Sequence, residues 1–148
     1  MRFPSIVPRS AVLLLLTITA HAEQVVFSEI MYNPPAGKPE FIEIWNITNT
    51  PLDMAKWRLS EGVAFTFPDF NSASSQAHFL KPMERIVVSA ASAATTRTAY
   101  PTIPANVRVF GPWDGALDNG GERVTLQDKN NVIVCTVNYG DMGHRIAL

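Results

Sequence analysis

Apolar residues along this chain come in short alternating runs separated by clusters of Pro, Gly, Asn and Asp. A period of two turns successive side chains to opposite faces of a strand, and the intervening clusters are turn formers, so the pattern predicts an all-β domain. Residues 24–32 read as a first strand, stopped by Asn33-Pro34-Pro35-Ala36-Gly37, where proline removes a ladder donor. Residues 40–47 read as a second, closed by Thr48-Asn49-Thr50-Pro51. Strands at 57–60 and 64–67 flank a tight turn at Glu61-Gly62, and 79–80 and 85–88 flank another at Lys81-Pro82. The series resumes at 107–110, then at 123–126 after Asn119-Gly120-Gly121 and at 132–139 after Asp128-Lys129-Asn130-Asn131. One segment departs from the rhythm: Ser89 is placed to cap a short helix over 90–99, rich in alanine and free of Gly and Pro until Pro101. The sum is about seven to nine short strands, the pattern of a β-sandwich.

Two of these runs carry a glutamate among apolar neighbours. By strand parity Glu29 shares a face with Phe27 and Met31, and Glu43 shares one with Phe41, Trp45 and Ile47. A carboxylate on a buried face must be hydrogen-bonded, paired or metal-bound, because burying it bare is very costly. The expected role is structural, with backbone N–H groups or a cation such as Arg58, Arg85 or Arg123 as partner. Neutralising either glutamate is then expected to lower stability.

The chain has 148 residues, and the first 22 read as a cleaved signal peptide. Arg2 and Arg9 form a basic start, residues 11–19 a short apolar stretch, and Ala20-His21-Ala22 the small-residue cleavage site. That stretch falls well short of the ~20 residues a membrane-spanning helix needs, so no integral membrane segment is expected after cleavage. The expected destination is the cell exterior or envelope. Residues 23–148 suit one domain. Twelve basic against thirteen acidic residues, with no Lys/Arg run, argue against a nucleic-acid partner. Cys135 is the only cysteine, so no intrachain disulfide is available.

Five motifs in order then carry a family likeness. They are Ser28-Glu29-Ile30-Met31-Tyr32-Asn33-Pro34; Glu40-Phe41-Ile42-Glu43-Ile44-Trp45-Asn46; Leu52-Asp53 with Trp57-Arg58-Leu59-Ser60; Asn119-Gly120-Gly121-Glu122-Arg123-Val124-Thr125-Leu126-Gln127-Asp128; and Val137-Asn138-Tyr139-Gly140-Asp141. Together they resemble the lamin-tail domain in its exported bacterial branch. The resemblance implies an immunoglobulin-like β-sandwich serving as a non-catalytic module, often attached to larger secreted or surface proteins. Sequences of that branch usually continue past the Tyr139-Gly140-Asp141 position with a tryptophan-proline stretch and a closing segment, whereas residues 142–148 end this chain. The expectation is therefore a sandwich lacking its final strand and leaving an open edge. The domain is either naturally minimal or truncated, and truncation is favoured because no compensating strand is visible elsewhere.

The residues offer little catalytic chemistry. Outside the leader only His78 and His144 supply imidazole, and no Gly-x-Ser-x-Gly elbow, His-Glu-x-x-His motif or phosphate-binding glycine loop occurs. Cys135 falls on the Ile133, Val137 and Tyr139 parity and reads as a buried, inert thiol. No enzyme activity and no cofactor are expected. Asp69-Phe70-Asn71, Asp114-Gly115 with Asp118-Asn119, Asp128-Lys129-Asn130-Asn131 and Asp141 offer loop oxygens, but none has EF-hand spacing, so turn formation is favoured over calcium and no metal is assigned. Trp45 and Trp57 read as core; Trp113, beside Asp114 and Asp118, is the ligand-facing candidate, with a plug into the core as its equal alternative. The expected function is a secreted interaction or scaffold module, binding protein or envelope polysaccharide through loops or a free strand edge. The alternatives are an accessory fragment of a larger exported enzyme and a loop Ca²⁺ module.

Overall fold

The turns divide the chain as their residue types predict, and the strands between them stack as two facing sheets. The computed structural model describes residues 23–69 and 78–140. The segment expected to be a leader (residues 1–22), the tail with Asp141 and His144, and Phe70-Asn71 lie outside the described residues. Strands are β1 (Val25–Met31), β2 (Phe41–Asn46), β3 (Leu52–Asp53), β4 (Arg58–Glu61), β5 (Phe65–Thr66), β6 (Phe79–Leu80), β7 (Arg85–Ser89), β8 (Arg108–Phe110), β9 (Arg123–Gln127) and β10 (Ile133–Asn138), with one helix, α1 (Ala93–Ala99). The first sheet has the order β1-β2-β7-β8, the second β10-β9-β4-β5, and β3 pairs with β6 as a small third ladder. This is the expected all-β, immunoglobulin-like sandwich. Among the described residues no helix is long and apolar enough to cross a membrane.

Between the sheets lies one core. The first sheet contributes Val25, Ile42, Ile44, Ile86 and Val88; the second contributes Leu59, Val124, Leu126 and Cys135. Connections supply Met54, Trp57, Trp113 and Leu117. All strand pairs are antiparallel except β7 and β8, which run parallel. A parallel neighbour cannot be reached by a hairpin, and α1 lies within the crossover that makes the connection.

That helix starts later than expected. Ser89 is the last residue of β7, fully buried, and its hydroxyl donates to the Glu40 carbonyl at 2.9 Å. Ser92 is the cap instead, its Oγ accepting from the Thr95 amide at 3.2 Å. Tyr100, just past the helix, meets Phe41 edge-on at 5.1 Å and donates to the Pro39 carbonyl, which covers that end of the first sheet's outer face. Next to the start of this crossover the chain passes so close at Gly111 (φ +139°) that a Cβ would lie 2.4 Å from the Ser89 and Ala91 carbonyls.

The last residue of β2 is a polar anchor that alternation alone does not reveal. Asn46 is fully buried on the core side of the sheet. Its amide Nδ2 donates to the carbonyls of Thr50, Leu80 and Lys81 at 2.8, 3.1 and 2.9 Å. Its Oδ1 accepts from the Thr48 amide and hydroxyl at 2.9 and 2.7 Å. One side chain thus satisfies the turn after β2 and ties β2 to the end of β6. Asn46→Ala should lower unfolding free energy by about 3 kcal/mol, because it strands buried carbonyls rather than merely deleting bonds. Urea denaturation would measure this, with the midpoint falling at unchanged slope; a loss below about 1 kcal/mol would contradict the anchor role.

Candidate functional site

Strand parity holds along β1 only as far as Phe27. Pairing with β2 passes from Phe27↔Ile44 directly to Glu29↔Glu43, so Ser28 is the extra residue of a β-bulge. The bulge allows Phe27 and Ile30, three apart, both to pack against the core. It turns Glu29 to the outer face, where it is exposed. On β2 the core side is Ile42 and Ile44, so Glu43 does share a face with Phe41 and Trp45, but that face is the outer one. Both glutamates were expected on buried faces; the bulge and the choice of β2 face correct this. Trp45 is likewise half-buried on the outer face rather than in the core.

Register across the first sheet makes three outward rows. They are Val26–Trp45–Arg85, then Glu29–Glu43–Val87–Val109, then Met31–Phe41–Ser89. The helical crossover and Tyr100 bury Phe41 and Val87. The other half of the face keeps Val26, Met31 and Trp45 half-buried and Glu29 exposed. Glu43 is held firmly there. Ser28 Oγ and Arg85 Nη1 both donate to its Oε1, at 2.6 and 2.7 Å. The Arg85 guanidinium also stacks 4.2 Å from the centre of the Trp45 ring. Of the three cations expected as partners, Arg85 is the one found. Glu29 differs: desolvation, with the Glu43 charge added, raises its carboxyl above the ordinary 4.5.

The second sheet's outer face has another character. Arg58 Nε donates to Gln127 Oε1 at 3.1 Å, and the Thr125 hydroxyl donates to Glu61 Oε2 at 2.5 Å and sits 2.9 Å from that of Thr136. These polar groups satisfy one another. The loop candidates are committed to the fold too. Trp113 is only 5% exposed and packs within the core, so of its two expected placements the plug is the one adopted. Asp114 pairs through its backbone with Ala64, 2.9 Å in both directions. Asp118 Oδ1 accepts from the Gly120 amide at 2.6 Å, and Asp128 Oδ1 accepts from Asn130 and Val132. The Asp118 and Asp128 carboxylates are thus turn-forming. Among the described residues no three His, Cys, Asp or Glu side chains converge as a metal site.

Of the groups considered for catalysis, Cys135 and His78 lie among the described residues. Burial lifts the Cys135 thiol to about 11, which keeps it protonated. His78 lies against Phe79, with ring centres 4.1 Å apart and planes tilted by 41°, and lines a recess of about 260 Å³ with Asp53, Ala55, Lys56, Asp69 and Lys129, where Lys56 pairs with Asp69 at 2.8 Å and Lys129 with Asp53 at 3.8 Å. Among the described residues that line the recess there is no hydroxyl or thiol.

Compared with known proteins, residues 19–141 match the family model described as Lamin Tail Domain. No curated protein matches the chain. The family is one of non-enzymatic immunoglobulin-like domains, which agrees with the sandwich.

The two glutamates should respond oppositely to neutralisation. Glu43→Gln weakens a hydrogen-bonded ion pair and should cost about 1 kcal/mol. Glu29→Gln removes a like charge directly across the strand pair and should stabilise by about 0.3 kcal/mol at neutral pH. Because the folded Glu29 carboxyl is raised, its contribution favours the fold at low pH and is lost as pH rises through the folded value. The gain from Glu29→Gln should therefore fade when melting is repeated below the ordinary 4.5. A lower melting temperature for Glu29→Gln at neutral pH would overturn this assignment.

Proposed function

This chain belongs to the lamin tail domain family, and from that premise we propose that it is an exported, non-catalytic interaction module. Its contact surface is the uncovered half of the first sheet's outer face, and its partner is a protein or a polymer of the cell surface. One observation carries the reading: the two outer faces are unlike. The second sheet's face links Arg58 to Gln127 and Thr125 to Glu61 and Thr136, with Ile133 exposed only at its β10 edge, whereas the first leaves Val26, Trp45 and Met31 around two glutamates. Aromatic and arginine side chains, here stacked on each other, are the residue types that dominate binding surfaces. Export rests on the leader pattern of residues 1–22.

Strand addition at a free edge fits less well than a face. The two long edge strands each carry a bulge, at Ser28 in β1 and between Ile133 and Cys135 in β10. On the other side the edges are β5, of two residues, and β8, of three. Bulged and very short edges resist pairing with an incoming strand.

Purified protein of residues 23–148 should bind an envelope fraction of its source cells. Trp45→Ala should weaken that binding about 30-fold, the scale of a binding hot spot, while Arg58→Ala on the opposite face leaves it unchanged. Equal effects of the two substitutions in a sedimentation assay would refute the face assignment, and a secreted form that does not begin at Glu23 would refute the leader reading.

A further inference from the structure

Resting on that reading of the face, we propose that its partner is a protein segment presenting a Lys or Arg side chain, whose cation sits between the Glu29 and Glu43 carboxylates. Two carboxylates, Glu29 and Glu43, lie on this face, with Arg85 beside Glu43 and Lys38 over the Tyr100 ring, 4.9 Å from its centre. Arg85 at 2.7 Å serves Glu43, and among the described residues no ion pair forms at Glu29. Glu29 nevertheless faces Glu43 in direct cross-strand register, an unfavourable arrangement of like charges that the isolated domain carries in its folded state. A cation from outside removes that repulsion as it binds. The charges then alternate, with Arg85 reaching Glu43 from the neighbouring row and the incoming cation lying between Glu43 and Glu29.

The surroundings favour a protein side chain over other sources of positive charge or contact. Val26 and Met31 flank Glu29 on β1, both half-buried, and offer apolar surface to the methylene stem of a Lys or Arg. A sugar ring would need the open face of Trp45, but the Arg85 guanidinium already lies 4.2 Å from the centre of that ring. The chain's formal charge is −1 and it has no basic run, so a basic segment is not repelled on approach. Because β1 is the outermost strand of its sheet, Glu29 lies at the rim, where a side chain reaching over the edge meets it first.

Calorimetric titration would test this with three probes: a capped peptide of alternating lysine and leucine, its glutamate-for-lysine counterpart, and a neutral dextran oligosaccharide. The lysine peptide should bind and the other two should not. Glu29→Gln should weaken the lysine peptide about tenfold without lowering the melting temperature, while Glu61→Gln on the opposite sheet leaves affinity unchanged. Unchanged affinity in Glu29→Gln, equal loss in Glu61→Gln, or binding of the glutamate peptide would each overturn the proposal. Failure here is distinguishable from failure of the face itself. If envelope binding still depends on Trp45 while the lysine peptide is ignored, the face stands and the cationic partner falls. If envelope binding ignores Trp45→Ala, the face falls regardless of the peptide.

Discussion

The bulge at Ser28 is the constraint on which the rest of this structure turns. A regular strand from Val25 to Met31 would bury either Phe27 or Ile30, because residues three apart face opposite ways. One extra residue lets both reach the core, and the same shift moves Glu29 to the outside. Ser28 is not idle at that position. Its hydroxyl donates to Glu43 and helps Arg85 hold that carboxylate, so the residue that breaks the ladder also repairs the neighbouring face. Core packing and surface chemistry in the first sheet therefore have a common origin.

A second bulge has the same consequence across the sandwich. Between Ile133 and Cys135 the pairing with β9 slips, which sends Cys135 to the core and leaves Ile133 59% exposed. Here β10 runs beside β1, with Tyr139 stacked on Tyr32 at 4.8 Å. Both long edge strands, β1 and β10, are thus irregular, and irregular edges oppose uncontrolled pairing. The edges are blunted, and the strip around Trp45 is the surface proposed above for contact. Asn46 anchors the end of the same β2 strand whose Glu43 and Trp45 form that surface, which gives the strip a rigid base.

Much of this was legible in the sequence, and what was not has physical reasons. Prolines, glycines and Asx residues mark turns by local backbone chemistry, so the strand series, the Glu61-Gly62 turn and the family likeness could be read directly. Parity was the weaker guide. It assumes an unbroken ladder, and the apolar pair Phe27 and Ile30, at a spacing of three, was the signal that the ladder breaks. Which face of β2 is the core depends on its neighbours, so Trp45 was expected inside and lies half outside. Ser89 and Ser92 are equally good caps in isolation; the end of β7 decides between them. The role of Asn46 depends on carbonyls 34 and 35 residues away, beyond the reach of any local pattern.

The central claim is that the bulge places Glu29 on the outer face directly opposite Glu43. A carboxyl-detected NMR titration of the isotope-labelled domain tests it most directly. Glu29 should titrate above the ordinary 4.5 and move back toward it when Glu43 is replaced by Gln. A Glu29 carboxyl that titrates at or below 4.5, or that ignores the loss of Glu43, would contradict the account.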